Sequence, residues 1–176
     1  MYAPVEDSFF LSEVLANYFG KKKAKKFTAL DMGSGSGIQA ETLSKFSDKK
    51  NILCVDIDRE ALENIRRKGF QARKSDLFSN IKEKFDVITF NPPYLPSDKH
   101  DREKDTTGGK SGDETILKFL KQVKKHLNKH GKIFLLLSNL TPTERIGKEL
   151  KKQELKIEEK FEKKIFFEEL YIWILG

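Results

Sequence analysis

Phe27-Thr28-Ala29-Leu30-Asp31-Met32-Gly33-Ser34-Gly35-Ser36-Gly37 joins a short apolar strand ending in an acid to a glycine turn. The apolar residues that follow, Ile38, Ala40, Leu43 and Phe46, recur at helical spacing. Strand, glycine turn and helix in that order open an α/β sheet, whose ligands lie outside the carboxyl ends of its strands. Glycine serves where a backbone must turn tightly and approach a ligand with no Cβ in the way. The spacing Gly33-x-Gly35-x-Gly37 is not the Gly-x-Gly-x-x-Gly of a dinucleotide site, and Asp31 puts an anion where a pyrophosphate would be repelled. A ligand with a cationic end fits this turn better.

Two more strand-like runs end the same way. Ile52-Leu53-Cys54-Val55 leads to Asp56 and Ile57, about as far past the glycine turn as the ribose-binding carboxylate of a dinucleotide fold. Asp56, rather than Asp58, sits at the immediate strand end and would accept from both ribose hydroxyls. Gln71-Ala72-Arg73-Lys74 leads into Ser75-Asp76-Leu77, where an acid would accept from an adenine amino group. One such acid means little, because Asp is a common cap and turn residue. Three at successive strand ends carry weight together.

A fourth strand, Phe85 to Phe90, runs into Asn91-Pro92-Pro93-Tyr94. The two prolines fix two φ angles, remove two backbone donors and hold Asn91 extended, which leaves a rigid corner rich in acceptors. Asn91 Oδ1 and the Pro92 carbonyl suit a substrate group with two N–H donors, an amide or an exocyclic amine. Tyr94 would add a flat face for a planar group. Taken alone, Asn-Pro-Pro is equally an ordinary turn former.

This order of parts resembles the class I S-adenosylmethionine-dependent methyltransferases over nearly the whole chain. The resemblance implies a Rossmann-like α/β domain over residues 1–176, with a seven-stranded, mostly parallel sheet in the order 3-2-1-4-5-7-6 and helices on both faces. Within that class, Asn91-Pro92-Pro93-Tyr94 looks like the signature of amino-group methyltransferases acting on adenine, cytosine, guanine or glutamine nitrogen. Pro4-Val5-Glu6-Asp7-Ser8-Phe9-Phe10-Leu11 is similar to the opening of the archaeal and eukaryotic HemK-related proteins, and Gly108-Gly109-Lys110-Ser111-Gly112 to their Gly-Gly-x-x-Gly loop. Those relatives methylate the glutamine of the Gly-Gly-Gln motif in class I translation release factors, and they work with a small zinc-binding activating subunit on a sheet edge.

The resemblance thus implies S-adenosylmethionine as cofactor. It implies catalytic roles for Asn91, Pro92, Pro93 and Tyr94. Cofactor contacts are expected from Asp7, Ser8, Asp31, Gly33, Ser34, Gly35, Gly37, Asp56, Ile57, Ser75, Asp76, Leu77 and Asn91. Residues 1–20 form a helix closing over the cofactor, and 95–112 a lid on the substrate side. A nucleic-acid amino methyltransferase is the second choice, and a cofactor-binding subunit without activity the third.

Composition agrees with one such domain. At 176 residues the chain suffices for one well-buried core and little more. The single cysteine, Cys54, lies in an apolar strand, which leaves no disulfide framework and points to packing in a reducing cytoplasm. The longest aliphatic run, Ile133 to Leu137, is far short of a membrane span. A net charge of +7 favours acidic partners without naming one. The Lys21 to Lys26 block reads equally as a solvated linker or a nucleic-acid patch.

The rest of the chain supplies the frame. Leu11, Val14, Leu15 and Tyr18 mark an opening helix, with Asp7 and Ser8 as cap types at its start. Ile116, Leu120, Val123 and Leu127 mark a later one that ends near Gly131. His126 and His130 would stand four apart on that helix, but their surroundings are cationic, so they read as exposed helix-end residues and no metal is assigned. A helix from Pro142 to Lys152 precedes two antiparallel strands, Leu155 to Phe161 and Ile165 to Leu175, joined at Glu162-Lys163-Lys164, with Tyr171 and Trp173 in the core of the last.

Overall fold

The structure is a computed structural model that describes residues 6–21, 26–93, 112–166 and 168–176. Tyr94, Pro4, Val5, most of the lysine block and all but the end of the expected lid fall outside those residues. Seven strands, β1 (Ala29–Met32), β2 (Ile52–Asp56), β3 (Gln71–Lys74), β4 (Phe85–Phe90), β5 (Leu127–Ser138), β6 (Ile157–Ile165) and β7 (Glu168–Leu175), form one sheet in the order β3-β2-β1-β4-β5-β7-β6. The first five are parallel, and β7 runs antiparallel to both β5 and β6.

β1 is buried along its whole length and β4 nearly so, because helices cover both faces of the sheet. On one face α1 (Glu6–Gly20), α2 (Ile38–Leu43) and α3 (Arg59–Arg67) bring Leu11, Leu15, Leu43 and Ile65 onto Ile52, Cys54, Val87 and Phe134. On the other, α4 (Glu114–Val123) and α5 (Thr143–Lys152) bring Phe119, Leu120 and Ile146 onto Leu30, Val55, Ile88 and Leu135. Strand alternation divides the residues this way: Leu30 and Ile88 face one layer, Ala29 and Val87 the other. Cys54 is fully buried, and that burial pushes its thiol pKa up, so it is an unreactive packing residue.

Three expectations are corrected. α4 does not reach Gly131; it stops at Val123, a 3-10 turn spans Lys124–His126, and β5 begins at Leu127. Contact with β4 and its approach overrides helical periodicity here. His126 Nδ1 lies 2.9 Å from Glu83 O, its ring stacks on Phe78 at 4.5 Å, and Asn128 Nδ2 donates to Asp86 Oδ1 at 2.9 Å. His130 sits at φ 67° in the irregularity between the Leu127 and Lys132 pairings, so the two histidines share no helix.

The second correction is at the hairpin. Glu162, Lys163 and Lys164 lie inside β6 and pair with Tyr171, Leu170 and Glu169, and the pairing runs on to Ile165 opposite Glu168. A strand that alternates charge with Phe161 and Ile165 pairs as readily as an apolar one at a sheet edge. The third concerns Asp7 and Ser8, which lie within the first turn of α1, both buried, rather than at a cap.

Asp86 ties the amino ends of three strands. Its carboxylate accepts from Thr28 N (2.8 Å), Thr28 Oγ1 (2.9 Å) and Asn128 Nδ2 (2.9 Å). Partial burial works against its charge, but these donors prevail and hold its pKa below the ordinary carboxylate value. Asp86→Ala should lower unfolding stability by about 2–4 kcal/mol, measured by urea denaturation at pH 7. Because the folded-state pKa is depressed, the wild-type advantage should be present above pH 4 and shrink as the pH falls below it.

Candidate functional site

A cavity of about 330 Å³ opens at the carboxyl ends of β1, β2, β3 and β4. It lies where β1 connects onward to β2 and β4 to β5, the reversal point at which open α/β sheets bind ligands. Among the described residues its lining holds five aspartates, 7, 31, 56, 58 and 76, and neither lysine nor arginine. In a chain of net charge +7 this is a local inversion of sign, suited to cationic groups, hydroxyls and amines and hostile to phosphates.

The glycine turn forms one wall. Gly33, Gly35 and Gly37 all have positive φ, at 62°, 47° and 82°, which L side chains resist; Gly33 and Gly35 line the cavity, whereas Gly37, expected beside them, is not in the lining and lies against Ile65. Ser34 faces into the protein: its hydroxyl donates to Asp31 O at 2.7 Å and accepts from Val55 N at 2.9 Å, stapling the turn to β2. Expected as a ligand contact, Ser34 lines the cavity but its side chain is committed to holding the turn. Ser75 is similar, donating to Leu77 O at 2.8 Å and accepting from Asn80 N at 2.9 Å, which shapes the bend where Leu77 takes φ 48°.

Asp56 is held by both oxygens, Oδ2 accepting from Gly35 N at 2.8 Å and Oδ1 from Asp58 N at 2.9 Å, so its orientation is set while lone pairs remain for a ligand. Asp58 caps α3, accepting from Glu60 N at 2.9 Å, and the two acids thereby have different duties. Beside them Ile57 is 60% exposed, a broad apolar surface for a flat group, and Asp76 stands exposed on the β3 side.

Asp31 near the end of β1 and Asn91 just past β4 both line the cavity with unfilled bonding capacity. Asp31 Oδ1 accepts from Thr89 Oγ1 at 2.9 Å, and Oδ2 is buried with no partner. Burial is the main cause that lifts the Asp31 pKa to about 7; the Thr89 hydroxyl and the Ala40 backbone N–H oppose the rise, and Asp56 adds repulsion. Asn91 Nδ2 donates to Ser8 Oγ at 3.2 Å, and Oδ1 is buried with no partner. Pro92 and Pro93 follow in the lining.

Several polar residues that line or support the cavity were not among the expected ones, Thr89, Gln39 and Thr115 among them. Thr89 is a polar residue inside an apolar strand, paired in register with Asp31, so strand parity could have found it. Gln39, buried on α2, and Thr115, in the first turn of α4, carry no local signal. The unfilled Asp31 acceptor, a turn of positive-φ glycines and a doubly anchored carboxylate fit S-adenosylmethionine, which brings an ammonium, two ribose hydroxyls and an amine as donors.

Asp31 makes the site sensitive to pH. Its folded pKa of about 7 stands above the ordinary 3.8, so the folded state keeps a proton that the unfolded chain loses first. Its contribution to stability is therefore full below about pH 4 and lost as the pH rises to about 7. Asp31→Asn should flatten that slope and, at pH 8 without ligand, exceed wild type by roughly 2–4 kcal/mol in chemical denaturation.

Residues 10–166 match the family model described as the methyltransferase small domain. A Methanocaldococcus jannaschii protein named for protein N5-glutamine methyl transfer is 34% identical over 187 aligned positions, covering 98% of this chain and 89% of the relative. Ribosomal RNA small subunit methyltransferase C of Actinobacillus pleuropneumoniae is 29% identical, covering 74% of this chain but only 38% of its own. The E. cuniculi Mtq2-Trm112 complex, described as responsible for methylation of the eRF1 translation termination factor, contains a chain that superimposes with a TM-score of 0.74. It is 27% identical, with 99% of this chain and 96% of that one covered. With this fold and this match along its length, the chain belongs to the methyltransferase small domain family.

Proposed function

We propose that this chain methylates the side-chain amide nitrogen of the glutamine in the Gly-Gly-Gln motif of a class I translation release factor. The observation that carries the reading is Asn91 Oδ1, a buried acceptor with no partner on the rigid Asn-Pro-Pro corner of an acid-lined cavity. A primary amide presents two coplanar N–H donors, and Asn91 Oδ1 with the Pro92 carbonyl is the matching pair of acceptors. Support comes from the names of the M. jannaschii relative and of the E. cuniculi complex, both of which align along nearly their whole length.

In this reading Asp31, Asp7 and Ser8 hold the amino-acid end of the cofactor, and the backbone of Gly33, Ser34 and Gly35 lies along it. Asp56 takes the ribose, Ile57 covers one adenine face, and Ser75, Asp76 and Leu77 border its edge. Bound there, S-adenosylmethionine supplies an electrophilic methyl group on a cationic sulfur. Asn91 and Pro92 accept the two substrate N–H groups and aim the nitrogen lone pair. That nitrogen is a poor nucleophile because its lone pair is conjugated, the conjugation behind a rotation barrier of roughly 18–20 kcal/mol. Accepting hydrogen bonds from both N–H groups favours positive charge as it builds on nitrogen, and orientation contributes roughly 7–11 kcal/mol in the best cases. Asn91 does not titrate, and the proton leaves to water after transfer.

The first turn of α1 closes over the cofactor. A small zinc-binding subunit pairs with one of the sheet edges, β3 or β6. The enzyme works in the cytoplasm; no helix among the described residues is long and apolar enough to cross a membrane. A nucleic-acid amine is the second reading, favoured by the ribosomal RNA methyltransferase relative, of which this chain spans 38%. A flipped base brings phosphates with it, and the described lining of the cavity has no basic side chain to meet them.

Labelled S-adenosylmethionine and the release factor of the same organism decide between them. Label should map to the Gly-Gly-Gln glutamine and vanish when that glutamine is changed to asparagine. Label on nucleic acid alone, with the candidate zinc-binding subunit present, would move the assignment to the second reading. Asn91→Ala should lower kcat by about 100-fold or more with little change in cofactor affinity by calorimetry. Asp56→Ala should weaken the cofactor on the order of 100-fold, from two lost bonds to a charged acceptor.

A further inference from the structure

Gln39 is buried on α2, two residues past Gly37, and its amide spans one turn of α1. Its Oε1 accepts from Ser12 Oγ at 2.9 Å, and its Nε2 donates to Ser8 O at 3.0 Å. Residues 8 and 12 stand one above the other on a helix face, so a single planar amide reaches both. Ser8 O, a carbonyl that can only accept, fixes which end of the Gln39 amide is which, and the Nε2 end thereby holds the turn of α1 that carries Ser8. Ser8 Oγ in turn accepts from Asn91 Nδ2 at 3.2 Å, leaving Asn91 Oδ1 as the buried atom without a partner.

An asparagine amide can present either its oxygen or its NH2 to a cavity, and only the oxygen accepts from a substrate amide. Here Ser8 Oγ meets the Nδ2 end, which leaves Oδ1 toward the cavity. We infer that Gln39 is a positioning residue that, through Ser8, holds the Asn91 amide with its oxygen facing the substrate. It thereby links the glycine turn of the cofactor site to the acceptor of the substrate site. The catalytic consequence rests on the proposed role of Asn91; the orientation itself does not.

The two parts are separable by experiment. In the ligand-free protein, the Asn91 side-chain NH2 signals in a 15N correlation spectrum should be shifted and slow to exchange in wild type. Both Ser8→Ala and Gln39→Met should move them toward free-amide positions. In turnover, Gln39→Met should lower kcat about 10- to 100-fold, with cofactor affinity within about threefold. The double variant should be no slower than the slower single one, because both substitutions release the same amide. Independent, multiplying effects on kcat, or unchanged Asn91 signals in Gln39→Met, would overturn the inference. If Gln39→Met does not fold, Ser12→Ala frees Gln39 Oε1 while leaving the core intact; a partial shift of the Asn91 signals supports the link and no shift overturns it. A wild type that leaves the release factor unlabelled would remove the proposed substrate, while the spectra would still decide Gln39.

Discussion

The parallel pairing of β1 with β4, in the register that sets Asp31 opposite Thr89 and Met32 opposite Phe90, is the constraint on which the site depends. Their onward connections diverge, to β2 on one side and β5 on the other, so no connection fills the space beyond their carboxyl ends. The glycine turn leaves one strand there and the Asn-Pro-Pro corner leaves the other. Strand parity then puts Asp31 and Thr89 together on the face covered by α1 and α2, while Phe90 packs on Phe119 in the opposite layer. A slip of one residue would turn Asp31 into that opposite layer and remove its hydrogen bond.

The molecule separates stability from function along the strand axis. At the amino ends, Asp86 has all its donors and a depressed pKa. At the carboxyl ends, Asp31 is buried with a raised pKa, and both Asp31 and Asn91 keep an acceptor without a partner. Native proteins leave few buried polar atoms unpaired, because each costs about 1–3 kcal/mol. Two in one cavity, offset by apolar cores on both faces of the sheet, mark a surface formed for a ligand that brings donors. The acid-lined cavity in a basic chain carries the same message in electrostatic terms.

Elements with strong local signals were legible. The strands ending at Asp56, Lys74 and Phe90 end where the residues place them, and the separate duties of Asp56 and Asp58 follow from position alone. The departures lie where tertiary contacts compete with periodicity. Leu127 has helical spacing from Val123 and Leu120, yet pairing with Phe85 draws it into β5. Glu162 to Lys164 have the composition of a turn, yet the edge of the sheet tolerates their charges and extends them as strand. Asp7 and Ser8 are cap types that lie within the helix, because the neighbouring cavity and Asn91 use them there.

The sequence by itself determined the fold class and the residues gathered at the strand ends, because glycines at positive φ, paired prolines and strand-end acids act locally and leave a readable spacing; the strand order was implied by resemblance alone. Tertiary structure alone decided which of those residues face a ligand and which hold the wall. Ser34 and Ser75 turn their hydroxyls inward, while Asp31 and Asn91 are left with an unfilled acceptor. It alone brought in Gln39 and Thr115. A side chain's hydrogen-bond partner is set by which strands and helices come to lie beside it. Ser8 and Asn91, 83 positions apart, meet only once α1 is seated against α2 and the sheet.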